Sequence, residues 1–217
     1  MKKIFQIVPS KPAAFILLAV ALALIYNPFT KFPLTFLIII VYIFGVTYLS
    51  NGNLRNLQFK KLKPIDCITI VLLYVGLEFV MDFGVQPLIG RLFNEPADYS
   101  AFDSLKGNFP KYFKYLIFMW ISAAFGEELL FRAFAFVQLR KMFGNNKIML
   151  VLLSAILFSL PHLYQGISGL ILTFLFGIAF GLIYIRYNNI WINIIVHGLI
   201  DTVFMTLAYL GMLSFYN

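Results

Sequence analysis

The chain contains a single cysteine, Cys67, which excludes an intramolecular disulfide framework and, placed at the start of an apolar run, says nothing about redox compartment. Charge is scarce as well. Only 12% of the 217 residues are charged, against about 25% in an ordinary soluble domain, while 61% are apolar and 18% aromatic. That balance excludes water as the main solvent of the folded chain. Histidine occurs twice, at positions 162 and 197, so any chemistry that needs an imidazole must use one or both. The length suits one compact bundle and leaves no room for a separate soluble domain.

What is present in quantity is long apolar sequence. About seven runs are long enough to cross a hydrocarbon core of ~30 Å, since each helical residue rises about 1.5 Å. They are expected over 12–29, 33–49, 65–93, 115–139, 148–164, 169–187 and 190–213, an all-α, polytopic transmembrane bundle. Residues 1–114 would supply the first helices and a polar loop over 94–114, and 115–217 a second helical core, within one integral membrane domain. No internal repeat is visible, and neither half mirrors the other as the inverted repeats of a transporter would.

The net charge of +8 does not point to nucleic acid, because the 17 basic residues are scattered between apolar runs. Their distribution is topological instead. With the amino terminus inside, eleven cations fall on that side (Lys2, Lys3, Lys11, Arg55, Lys60, Lys61, Lys63, Arg140, Lys141, Lys147 and Arg186) and five on the other (Lys31, Arg91, Lys106, Lys111 and Lys114). Cytoplasmic segments are enriched in Lys and Arg, so the reading is a multi-pass cell-membrane protein with a cytoplasmic amino terminus. Ala21-Leu22-Ala23 has the form of a signal-peptidase site, but the apolar run continues past it to Tyr26, as in an uncleaved anchor.

An ionisable side chain at bilayer depth costs at least about 2.5–3.5 kcal/mol on insertion scales, so those that persist there are functional candidates with partners. The last four helices hold six: Glu127, Glu128, Arg132, His162, His197 and Asp201. On an α-helix Glu128 and Arg132 share a face and can pair, whereas Glu127 and Arg132 are about 140° apart. Glu127 is therefore expected to be the free carboxylate, with Gly126 leaving room for water or a substrate backbone. His197 and Asp201 repeat the four-residue spacing, and the carboxylate can orient the ring. His162 follows Pro161, which frees a backbone carbonyl and bends the chain, with Phe158 one turn earlier.

Taken singly, these features have plainer readings: a structural ion pair, a packing histidine, and, for Glu78 and Asp82, a cavity lining. Together a carboxylate and two imidazoles can activate water against a peptide carbonyl. Ser122, Ser154 and Ser159 lack the glycine-flanked elbow of a serine hydrolase. Glu127, His162 and His197 could also hold a divalent metal such as zinc, although the His-Glu-x-x-His element is absent. If the fifth helix starts at Ile148, His162 lies ~21 Å along it, near a membrane surface, and a tilt or kink must bring it to Glu127.

The strings Glu127-Glu128-x-x-x-Arg132, Phe158-x-x-x-His162 and His197-x-x-x-Asp201, in that order on membrane helices, resemble the CAAX-protease and bacteriocin-processing family, also called CPBP or Abi proteins. The resemblance covers about the last hundred residues. It implies an intramembrane endopeptidase, glutamate- or metal-dependent, acting on a prenylated, hydrophobic or leader-type peptide. Glu127 and His162 would activate water, and His197 and Asp201 would stabilise the oxyanion or substrate. Glu128, Arg132 and Phe158 would support the site. The same family includes non-catalytic self-immunity and scaffold proteins, and a proton-coupled transporter is a third reading of the same side chains.

Overall fold

The computed structural model describes residues 10–216. Among these described residues seven long helices are formed: α1 (Lys11–Ile25), α2 (Leu34–Asn51), α3 (Pro64–Phe93), α4 (109–143), α5 (Lys147–Ser159, drawn out by a 3₁₀ turn over Leu160–Gln165), α6 (Gly166–Tyr187) and α7 (Ile190–Leu210). Local sequence sets their ends. The side chains of Ser10, Asn108, Asn146 and Asn189 cap the starts of α1, α4, α5 and α7 by accepting backbone N–H groups of the first turn. Gly52 and Gly211 close α2 and α7 in the left-handed conformation that only glycine adopts freely.

These boundaries correct several expected from sequence. The fourth helix begins at Phe109 rather than Tyr115, because Asn108 caps it, so Lys111 and Lys114 are helical and the polar connection is 94–108. The fifth stops at Ser159, since Pro161 cannot continue an α-helix. The seventh ends at Leu210, not Leu213. Lys2 and Lys3, counted above among the inside cations, lie outside the described residues.

Leu34–Asn51, Pro64–Phe93, the stretch Lys147–Tyr187 and Ile190–Leu210 are long and apolar enough to cross a membrane, whereas α1 has only 15 residues. On α3 a stripe containing Ile65, Ile68, Leu72, Val75, Phe79 and Phe83 stays exposed, at helical spacing. A continuous apolar face of that kind is stable against lipid tails rather than water. The molecule is a multi-pass membrane protein.

Within the bundle α4 is central, packed on α2 and α7, with α1 against its last two turns. α5 and α6 form a close antiparallel hairpin, allowed by Gly177 facing Ala155 and Gly181 facing Val151. α3 lies at the edge, touching α7 and the start of α6.

Candidate active site

The first glutamate motif does not lie on an α-helix. Over Trp120–Phe134 helix α4 is π-helical, the wider winding that bonds an amide five residues back, as Ala135 N–H does to the Leu130 carbonyl. Each turn takes up roughly one residue more than in an α-helix, which moves Arg132 toward the face of both glutamates. The α-helical angle of about 140° between Glu127 and Arg132 is thus corrected. Single π-turns frequently mark functional sites, and here the widening runs through the whole motif.

Glu128 is fully buried and fully engaged. Its Oε1 lies 3.2 Å from Arg132 Nη1 and 3.0 Å from His197 Nδ1, and its Oε2 accepts a hydrogen bond of 3.2 Å from Asn193 Nδ2. The contact with Arg132 has the distance of an ion pair without the angle of a hydrogen bond, so the buried guanidinium nitrogens keep unused donors. Arg132 instead lies against two aromatic rings, 4.1 Å from the centroid of Phe158 and 5.2 Å from that of Phe180.

His197 is held on both edges. Nδ1 faces Glu128, and Nε2 lies 3.4 Å from Asp201 Oδ2, a longer contact that again is not a hydrogen bond. The orienting carboxylate is therefore Glu128 on another helix, where the sequence pointed to Asp201 four residues on. Asp201 is looser, its side chain 27% exposed. The imidazole also stacks on Phe180, 4.9 Å between centroids.

Pro161 explains the position of His162. In the 3₁₀ turn over Leu160–Gln165 the Phe158 carbonyl would accept the amide of residue 161, which proline lacks. His162 Nδ1 fills that place, 3.1 Å from the Phe158 oxygen. A carbonyl only accepts, so Nδ1 carries the proton and neutral His162 presents a bare Nε2. The turn is anchored from the 94–108 connection: Asp98 N–H donates to the Gln165 carbonyl at 2.9 Å, and Ser168 Oγ to the Glu95 carbonyl at 2.5 Å. The Phe158 ring packs against both imidazoles, 5.5 Å from His162 and 6.0 Å from His197.

Glu127 is half-buried and takes part in no hydrogen bond or ion pair among the described residues, while His197 and Asp201 lie within its electrostatic reach. No hydrogen bond or ion pair joins it to His162. Gly126 does not open space for substrate: a Cβ there would stand 2.8 Å from Phe36 Cδ1, so the glycine admits a ring of α2. The hydroxyls of Ser122, Ser154 and Ser159 all donate to backbone carbonyls.

Among the described residues no three His, Cys, Asp or Glu side chains gather as a metal-ligand set. His197 faces a carboxylate with each nitrogen, so Glu127, His162 and His197 do not fit a metal as arranged. Sequence reasoning missed Asn193, and also Phe180, which stacks on the histidine and lies over the arginine. Asn193 sits four residues before His197, and that spacing was the available signal.

Residues 109–203 match the family described as type II CAAX prenyl endopeptidase, Rce1-like. This is the family to which the three motifs pointed, and the matched stretch runs from the start of α4 into α7, carrying every motif residue. The matched family is one of endopeptidases by its description. No curated protein and no solved structure matches the chain.

Proposed function

We propose that the protein is an intramembrane endopeptidase that hydrolyses a peptide bond with water activated by Glu127 and His162, without a metal. The carrying observation is the division of labour between adjacent glutamates: Glu128 is consumed by Arg132, Asn193 and His197, while Glu127 is free.

In this reading water lies between the Glu127 carboxylate and the bare Nε2 of His162. Its oxygen attacks the scissile carbonyl carbon as Glu127 accepts its proton. Charge collects on the carbonyl oxygen, and the Nε2–H of His197 donates to it, replacing the long contact with Asp201. Glu128, on the other edge, sustains the imidazolium. Glu127 then returns its proton to the amide nitrogen as the carbon–nitrogen bond breaks.

The family match and the membrane setting support a prenylated, hydrophobic or leader-type segment as substrate, reaching the site from the bilayer. The excess of Lys and Arg on the side of residues 52–63, 144–146 and 188–189 supports a cytoplasmic placement of that side.

The test is cleavage of membrane-tethered reporter peptides, prenylated and unprenylated, by purified protein, by Glu127→Ala and by His162→Ala, each with and without chelator. Cleavage that both substitutions abolish and chelator spares is the expected result. Loss on chelation would overturn the metal-free mechanism. A folded native protein that cuts nothing, with both variants keeping its cellular effect, would favour an immunity or scaffold role.

A further inference from the structure

Five buried side-chain polar atoms among the described residues have no hydrogen-bond partner, and four belong to Arg132 and Asn193, the neighbours of Glu128. Burying unpaired polar groups is costly, so their concentration around one carboxylate marks a place where packing alone did not choose the residues. Arg132 belongs to the recognised motif. Asn193 does not.

Asn193 is fully buried on α7, and its one amide nitrogen donates twice: to the Phe180 carbonyl on α6 at 2.8 Å and to Glu128 Oε2 on α4 at 3.2 Å. Three helices therefore meet at one side chain. Its Oδ1 accepts nothing, so the donor half of the amide accounts for its position. Without that donor Glu128 Oε2 loses its hydrogen bond and the carboxylate can turn about its last bond. Oε1 serves Arg132 and His197 together only while that rotation is fixed. Leucine keeps the branched outline of asparagine, with a larger volume, but has neither donor nor acceptor, so it removes the restraint, and aspartate, close to asparagine in volume, controls for the added bulk.

We infer that Asn193 is a positioning residue of the site: its amide locks the rotation of Glu128 so that this carboxylate holds the His197 ring in register for the reaction. The inference rests on the peptidase reading, and one arm of its test does not depend on activity. With only two histidines in the chain, ring nitrogen labelling resolves the His162 and His197 imidazoles separately.

Asn193→Leu is compared with native protein and with Asn193→Asp, which keeps the shape but sets an acceptor against Glu128. The expected result is kcat lowered about tenfold to a hundredfold with KM within twofold, as for other residues that orient a catalytic group. The His197 Nδ1 resonance moves and those of His162 do not. Native kcat in Asn193→Leu, or lowered kcat with His197 unmoved, overturns the inference. If Asn193→Leu fails to fold, both sets of resonances collapse and Asn193→Asp decides by the same criteria. Should native protein cleave no peptide, the peptidase reading fails, while displacement of the His197 signal alone still establishes the link through Glu128.

Discussion

His197 and Glu128, 69 residues apart, are joined by a contact of 3.0 Å between Nδ1 and Oε1 that ties α7 to α4 across the centre of the bundle. The same oxygen faces Arg132, so one carboxylate holds a guanidinium and an imidazole. Its neighbour Glu127 holds neither, and this asymmetry between consecutive residues gives each a different experimental signature.

Glu127→Gln removes a base and disturbs no hydrogen bond. Peptide cleavage is expected to fall by about 10²–10⁴-fold, the usual contribution of a general base, with no loss of thermal stability in detergent. Full activity in this variant would end the proposed role of Glu127, and a large loss of stability would show that it is held by contacts the site geometry lacks.

Glu128 behaves in the opposite sense. Glu128→Leu strands the buried Arg132 charge, and breaking such a pair costs about 3–5 kcal/mol. Replacing both partners, Glu128→Leu with Arg132→Met, leaves no uncompensated charge and should recover most of that stability without recovering cleavage. Unfolding of the three proteins checks this; a single variant as stable as native would mean that the pair does not hold the helices.

Much of this was legible in the sequence, for reasons that differ by residue. Charge scarcity and the apolar runs made the helical membrane fold plain, since a continuous apolar run of that length satisfies its own backbone in lipid as a helix. The six ionisable residues stood out because each is expensive at depth. Pattern could not show that α4 is π-helical, because the α-helical period places Glu128 beside Arg132 equally well. Nor could it show that Gly126 is filled by Phe36, because a glycine opens space without naming what enters. Asn193 was passed over for a related reason: a neutral amide in an apolar helix carries no charge to be explained, and its value lies in a partner 65 residues away.

The Phe36 contact is separately measurable. Gly126→Ala drives a methyl group to 2.8 Å from Phe36 Cδ1, and overpacking of this kind costs about 1–3 kcal/mol. Adding Phe36→Leu, which shortens the opposing side chain, should restore stability. If Gly126→Ala instead leaves stability intact and raises KM for long peptides alone, the glycine faces substrate after all.

Sidedness decides from where a substrate arrives. The His162 turn is tied to the connection between α3 and α4 through Asp98 and Ser168, so this edge of the site lies at the end of the bundle that carries Ser100. The other end carries Asn53 and the basic segment with Lys60, Lys61 and Lys63. If positive charge keeps that segment cytoplasmic, Ser100 is outside. In a Cys67→Ser background, a membrane-impermeant maleimide added to intact cells should label Ser100→Cys and spare Asn53→Cys, and both should react once the membrane is permeabilised. Both residues are exposed, so reactivity reports side rather than burial. The reverse pattern would place the His162 edge toward the cytoplasm, where prenylated proteins are made. Leader-type peptides in export would then be the less accessible substrates, and the peptide panel would be weighted accordingly.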